Sequence, residues 1–281
     1  MQNGAGHETN IVDPSVQSAF RYRSVAGGNG CLFSDICRFH CASHRGAVVD
    51  FSNFNQPPHW PNIFGTDLVG RDLFSRILYA YRISLMLGVV VLAIAVPIGV
   101  TVGLAAGYLG GWVDFVLMRL TDVFLSIPPL VLAMSVMGVL EPTLTNGMLA
   151  VTTMWWPWYA RLAYNVTRSE SQEGYVLAAE IIGASRLHIM FREILPNCVP
   201  SIVTKMTLDL GFVILIASSL SFLGLGVQAP TPDLGSMVAE GGNYLPDSWW
   251  LTVFPSLAIL IAVFGFNLLG DALRQVLGAD Q

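Results

Sequence analysis

Long stretches without a charged side chain constrain the fold of this sequence more than any other feature. A helix needs roughly 20 predominantly apolar residues to cross a bilayer, and five stretches of at least 18 uncharged residues occur in the chain. These stretches are residues 83–113, 123–140, 142–160, 210–232 and 248–270. Because lipid offers no hydrogen-bond partner to a free backbone group, they should be helices. The sequence therefore predicts an all-α polytopic membrane protein with about five transmembrane helices.

Composition excludes several other classes of protein. Only 12% of the 281 residues are charged and the net charge is −5, whereas soluble domains carry about 25% charged residues and nucleic-acid binders need a basic face. The four cysteines are too few for a disulfide scaffold. Acidic residues such as Asp209 are expected at the ends of spans, which argues against an ion-coupled carrier or a proton pump. Energy for moving a solute should then come from another subunit.

Basic residues predict the orientation of the spans. The connection 161–209 carries four arginines and Lys205, the single lysine of the chain, while the connections before and after it carry no basic residue. Such an excess marks a cytoplasmic connection. The same count places residues 273–281 in the cytoplasm, as a tail, and residues 1–82 outside.

The region before the first span is predicted in two parts. Residues 1–65 are polar and rich in glycine and proline, and we expect them to be mostly irregular. Their thiol and imidazole side chains match no standard zinc spacing, so no metal site is predicted there. These side chains belong to Cys37, His40, Cys41 and His44. Residues 66–82 place apolar side chains at helical spacing and predict an amphipathic helix on the bilayer surface, capped by Thr66 or Asp67.

The first span contains a proline and a stripe of glycines. Gly99, Gly103 and Gly107 recur at four-residue spacing, which creates a flat face for close helix packing. Pro97 lacks a backbone donor and favours a kink. We expect these four positions to serve helix packing.

The most informative stretch is the connecting segment, residues 173–200, with the sequence EGYVLAAEIIGASRLHIMFREILPNCVP. It predicts a short helix over residues 175–182 and a turn at Gly183, because glycine tolerates the positive φ of a helix end. A second helix should begin at a Ser185 cap, run to Leu195 and end at Pro196. A helix–turn–helix of this kind can dock into a groove on a partner, although an ordinary interfacial loop is the alternative.

The connecting segment resembles the EAA loop of ABC-importer permeases. Ala178, Ala179 and Gly183 match the Ala-Ala pair and the glycine four residues later, and residues 194–197 match the closing part of the motif. Leu177 occupies the position of the first glutamate of the motif. The resemblance implies that this loop docks on an ATPase. The residues it assigns to docking are Tyr175, Ala178, Ala179, Gly183, Ala184, Ser185, Ile194, Leu195 and Pro196.

The resemblance extends over about residues 56–277, through FGTDLVGRDLFSRILYAYRISL, GYLGGWVDFVLMRLTDVFLSIP, SLSFLGLGVQAPTPDLGSMVAEG and FNLLGDALRQVL. These motifs resemble the second permease subunit of dipeptide, oligopeptide and nickel importers, which are binding-protein-dependent systems of the bacterial inner membrane. The resemblance implies a MetI-like fold, with the permease transmembrane domain over residues 83–272. Members of the group normally have six spans, so we expect the first span to be lost or replaced within residues 1–50.

The resemblance also implies the partners. They are a second permease subunit, two ATPase subunits that bind ATP and magnesium, and an extracytoplasmic solute-binding protein. No Walker motif occurs in this sequence, so the chain should be a transport subunit, not an enzyme, and carry no cofactor and no metal. Peptide is the expected cargo, and nickel, opines or glutathione are alternatives. A stand-alone channel or secondary carrier is the alternative from another class.

Overall fold

The computed structural model describes residues 49–277. These residues form eight helices and one short 3₁₀ turn at Phe51–Asn53, and they contain no β-strand. The cysteines and histidines of residues 37–44 and the expected change in the first span lie outside the described residues.

Helix α1 spans Leu73–Leu109 and continues through Pro97 without interruption. Its N-cap is Asp72, whose carboxylate accepts a hydrogen bond from the Ser75 N–H at 3.0 Å. The predicted separate helix over residues 66–82 is therefore wrong, because the chain before Leu73 is a turn. Asp67 stabilises that turn by accepting hydrogen bonds from the backbone N–H groups of Val69 and Arg71.

The second predicted span is broken. Helix α2 covers Gly111–Ser126, helix α3 covers Pro129–Val139, and the two are bent by 88° at the break. Pro128 and Pro129 lack the backbone donors that would continue α2, while a proline fits the first position of a new helix. The predicted helix over residues 123–140 is therefore two half-helices in different directions.

Helix α4 spans Leu144–Glu170, helix α5 spans Gly174–Ile181, and helix α6 spans Arg186–Phe222. The connecting segment follows α4, contains α5 and includes the start of α6. The predicted end at Pro196 is wrong, because α6 contains a π-helical stretch at Ile189–Ile194 and continues. Pro196 follows this stretch by two residues and has no backbone N–H. It does not end the helix, because the wider π-helical turn has already departed from the i→i−4 hydrogen-bond pattern.

Because α6 is continuous, two charged residues lie elsewhere in the fold than the sequence predicts. Lys205 and Asp209 lie inside α6, not at the end of a span as the sequence predicts for Asp209.

The last two helices are α7, Leu234–Gly242, and α8, Trp250–Leu277. Of the predicted cytoplasmic tail, residues 273–277 still belong to α8.

Fewer spans are found than the five predicted. In the described part of the chain, α1, α6 and α8 are long and apolar enough to cross a membrane, and α2 with α3 would add one only as a bent pair. Helix α4 covers the third predicted span but is the least apolar of the long helices. It lies between α1 and α6 and buries much of its surface against protein, so it needs less apolar surface than a lipid-facing helix.

The glycine stripe of α1 lies against α4. A Cβ atom added to Gly99 would lie 2.4 Å from the Trp156 carbonyl oxygen, and one added to Gly103 would lie 2.4 Å from that of Ala160. At Gly107 an added Cβ would lie 2.9 Å from Thr167. These distances are too short for any side chain, so the glycines permit the close approach of the two helices.

The two ends of α1 lie on opposite sides of the domain, because 37 residues make a helix of about 55 Å. Residues 49–72 pack at its first end, beside the start of α8. There Trp250 Nε1 donates to the Thr66 carbonyl oxygen at 3.3 Å, and Asn55 Nδ2 donates to Ser248 Oγ at 2.7 Å. Arg71 and Arg76 both form ion pairs with Asp67 in this region.

Candidate functional site

The turn at Gly183 gives the connecting segment its shape. Gly183 has φ +85°, a conformation that side chains with a Cβ rarely adopt. Its N–H donates to the Glu180 carbonyl oxygen, and the Ala184 N–H donates to that of Ala179, each at 3.0 Å. This pair of bonds is the Schellman motif, in which glycine ends a helix and satisfies its last carbonyls. The spacing between Ala179 and Gly183 is therefore the spacing of a helix C-terminus.

The chain enters α6 directly after this turn. Ser185 is the N-cap, and its hydroxyl oxygen accepts a hydrogen bond from the His188 N–H at 3.3 Å. The start predicted for the second helix is thus present. The connecting segment is a tight helix–turn–helix with both helix ends satisfied.

One side of the connecting segment is exposed and apolar. Ile181 and Ile182 are 87% and 85% exposed, Leu187 is 67% exposed and Leu177 is 49% exposed. We call these four residues the apolar tip. Clustered exposed apolar side chains mark an interaction surface, so the tip is the candidate docking surface of the chain.

The other side of the connecting segment enters the core. Val176, Ile189, Ile194 and Cys198 are almost fully buried among side chains of the long helices. Ile194, predicted as a docking residue, is therefore placed beneath the surface, and Leu195 is half-buried. The other predicted docking residues are exposed or half-buried: Tyr175, Ala178, Ala179, Gly183, Ala184, Ser185 and Pro196.

Polar tethers join α5 to three long helices. The Tyr175 hydroxyl donates to Glu170 Oε2 of α4 at 2.6 Å and accepts from Asn197 Nδ2 of α6 at 2.8 Å. The Tyr108 hydroxyl of α1 donates to Glu180 Oε1 at 2.8 Å. Desolvation, with the hydrogen bond to Glu170, raises the pKa of Tyr175 to about 12, so its hydroxyl stays a donor at neutral pH. The tethers also place the Leu109 end of α1 beside the connecting segment.

Sequence reasoning missed the exposed isoleucines and the tethers. The apolar pair Leu177 and Ile181, four residues apart on a short helix outside the membrane, was a readable signal for the tip. Nothing in the sequence pairs Tyr108 with Glu180, because 72 residues separate them.

Together these features define a class of protein. It is a helical membrane domain with a projecting helix–turn–helix whose first helix is hydrogen-bonded to the long helices. Among residues 49–277 no cluster of side chains could hold a metal ion.

Comparison with known proteins identifies the family. The family described as binding-protein-dependent transport system inner membrane component matches residues 99–280. The chain belongs to this family and is a permease component of the inner membrane.

Relatives and solved structures agree with that family. The chain is 45% identical to a probable D,D-dipeptide transport system permease of Escherichia coli, over 84% of this chain and 79% of the relative. It is 35% identical to a di/tripeptide transport system permease of Pseudomonas aeruginosa, over 99% and 96% of the two chains. The inward-facing MetNI methionine ABC transporter matches 73% of this chain and 95% of its own, with a TM-score of 0.57 and 19% identity. The last comparison shows that the fold is MetI-like.

Proposed function

We propose that the chain is the permease subunit through which an ATP-driven importer passes peptides across the inner membrane. The observation that carries the proposal is the apolar tip, exposed on a segment whose first helix, α5, is hydrogen-bonded to α1, α4 and α6. The two relatives above are named for dipeptide and di/tripeptide transport, which supports peptide as the cargo. Family membership favours this function over a stand-alone channel or secondary carrier.

ATP hydrolysis takes place on two partner ATPase subunits, which bind the ATP and magnesium, and this chain has no ATPase site of its own. The apolar tip docks in a groove of an ATPase, and Ala178, Gly183 and Ser185 give the tip its shape. Closure of the ATPases displaces the connecting segment, and the tethers carry that displacement into the long helices as a rigid-body movement.

Two further kinds of partner complete the transporter. A second, similar permease subunit pairs with this chain and completes the translocation path. Because residues 49–72 lie at the end of α1 opposite the tip, they face the extracytoplasmic side. A solute-binding protein delivers the peptide there.

The proposed function is tested by uptake in cells that lack their own peptide importers. Cells that express the chain with its partner subunits should accumulate radiolabelled dipeptide, and accumulation should stop when cellular ATP is depleted. Omitting this chain alone is the control for its requirement. Uptake that persists without ATP, or without this chain, would contradict the proposal.

Replacing Gly183 with valine should uncouple transport while the protein still inserts in the membrane. A β-branched residue is strained by about 1–3 kcal/mol in the left-handed conformation, and no neighbouring atom lies within 4 Å to clash with it. The expected damage is therefore local to the turn. Peptide uptake and stimulation of the ATPase should both fall, whereas the amount of protein in the membrane should not change. Gly174→Val, also in open space but without a positive φ, is the matched control.

A further inference from the structure

A charged pair lies inside the membrane domain, where α4 meets α6. Lys205 Nζ donates to Asp209 Oδ1 at 3.1 Å, and Trp155 Nε1 of α4 donates to Asp209 Oδ2 at 2.9 Å. The lysine nitrogen also lies 5.5 Å and 6.0 Å from the ring centroids of Tyr159 and Trp158. Ionisable side chains inside a membrane are costly, and they usually mark a functional site.

The two partners of the pair differ in exposure. The Asp209 side chain is 7% exposed and both of its oxygens are occupied, whereas the Lys205 side chain is 30% exposed. An ammonium group has three donors, and one of them is used by Asp209. Lys205 therefore presents donors to the surface of α6 and has the means to bind an anionic group there.

The face of α6 around Lys205 combines this partly exposed charge with exposed apolar side chains. Lys205, Phe212 and Ser219 recur at helical spacing on one face, and about four turns, or 21 Å, separate the first from the last. Gly211, on another face, packs against Val263 of α8. Phe212 and Leu215 are 47% and 40% exposed, and the Ser219 hydroxyl donates to the Leu215 carbonyl oxygen. Lys205 is the residue that indicates contact with water, because charged residues in spans avoid lipid.

This face leads to a cavity at the extracytoplasmic end of α6. The cavity has a volume of about 420 Å³ and is bounded by α3, α6, α7 and α8. Its wall is mostly apolar and includes three serines, Ser218, Ser219 and Ser256. Helix α3 is the second half of the bent pair, and broken helices in transporters border substrate sites and aqueous cavities. The cavity and Lys205 thus lie along one face of α6, with apolar side chains between them.

We propose that this face of α6 is part of the wall of the translocation path, and that Lys205 binds the terminal carboxylate of a passing peptide. Asp209 and Trp155 hold α6 against α4 and position the ammonium group, while the neighbouring rings restrict where it moves. The assignment rests on the proposed function, since it names the group of the peptide that the path recognises.

The experiment uses the complete transporter in liposomes, with ATP supplied to the ATPases and saturating binding protein on the other side. Lys205→Met should lower maximal uptake of a labelled dipeptide per ATP hydrolysed by about tenfold. The variant lacks a contact that the peptide makes in the translocation path, after its release from the binding protein. Lys205→Arg keeps a cation and should restore most of the uptake. For the same dipeptide with an amidated C-terminus, wild type and Lys205→Met should transport equally.

Two further variants separate this role from a structural one. Thr204→Val, at a buried neighbour on another face of α6, should leave uptake unchanged. In the double variant Lys205→Met with Asp209→Asn, no unpaired buried charge remains. If Lys205 served only to neutralise Asp209, the double variant would recover uptake. We expect uptake to stay low and the yield of assembled transporter to be normal.

Each outcome decides the assignment. Unchanged uptake in Lys205→Met, recovery in the double variant, or an equal loss for free and amidated peptide would overturn it while leaving peptide import intact. A wild-type complex that imports no peptide would overturn the proposed function, and this assignment with it. The assignment is supported if Lys205→Met loses uptake only for the dipeptide with a free C-terminal carboxylate. Lys205→Arg should then retain that uptake, and adding Asp209→Asn to Lys205→Met should not restore it.

Discussion

Replacing Gly99 and Gly103 with alanine should prevent stable packing of α1 against α4. Each added methyl group would lie closer than 2.5 Å to a backbone carbonyl oxygen of α4, and a backbone cannot move aside as a flexible side chain can. Overpacking costs about 1–3 kcal/mol at each position, so the double variant loses much of the stability of a typical domain. The measurements are the amount of folded protein in membranes and its midpoint of thermal aggregation in detergent.

Gly147→Ala is the matched control for this variant. Gly147 lies in α4, and no heavy atom lies within 4 Å of its added Cβ. Alanine there should be neutral or stabilise the helix by up to about 1 kcal/mol. If the double variant Gly99→Ala with Gly103→Ala were as stable as Gly147→Ala, the close packing of α1 on α4 would be refuted.

Placing carboxylates at Ile181 and Leu187 should separate the permease from its ATPase partner. Both side chains are mostly exposed, so the substitutions should not disturb folding. In a docked complex a buried, unpaired charge is costly, and the loss of a central apolar contact weakens binding by about 2 kcal/mol or more, which is roughly 30-fold in affinity. Co-purification of the ATPase and uptake of labelled peptide should both be lost.

Ile63→Asp is the control for the charged tip. Ile63 is also exposed, at 55%, but belongs to residues 49–72 at the opposite end of α1. This variant should retain its ATPase. Retention of the ATPase by the tip variant would mean that the tip is not the docking surface.

The sequence predicts local structure well where one residue type decides it. Gly183 and Ser185 define the turn and the start of α6, because a positive φ and an N-cap each favour few residue types. The all-α membrane fold follows from the uncharged stretches for the same kind of reason, since lipid leaves the backbone little choice.

Other boundaries could not be predicted because they depend on tertiary context. Pro196 predicts the end of a helix, yet α6 passes it with the help of an irregular turn and the burial of Ile194 in the core. Helical spacing over residues 66–82 predicts one helix, but the pairing of Asp67 with Arg71 and Arg76 stabilises a turn before Leu73. Of the five predicted spans, the one over residues 142–160 is not among the helices apolar enough to cross a membrane, because α4 owes its place to contacts with α1 and α6.

The ion pair and the tethers lie still further from what a sequence reveals. Asp209 reaches Trp155 across 54 residues, and no local pattern connects them. The sequence does identify Lys205 as the single lysine, but assigns it to a cytoplasmic connection, because the basic residues around it dominate the count.

The unbroken course of α6 has a mechanical consequence. The helix has 37 residues, so it is a rod of about 55 Å, and the Trp155–Asp209 hydrogen bond fastens it to α4 between its two ends. A stiff helix that is held at one point between its ends can pivot about that point. In the proposed mechanism, a sideways push at Leu187 would swing Phe222 in the opposite direction, so that the translocation path narrows on one side of the membrane as it widens on the other.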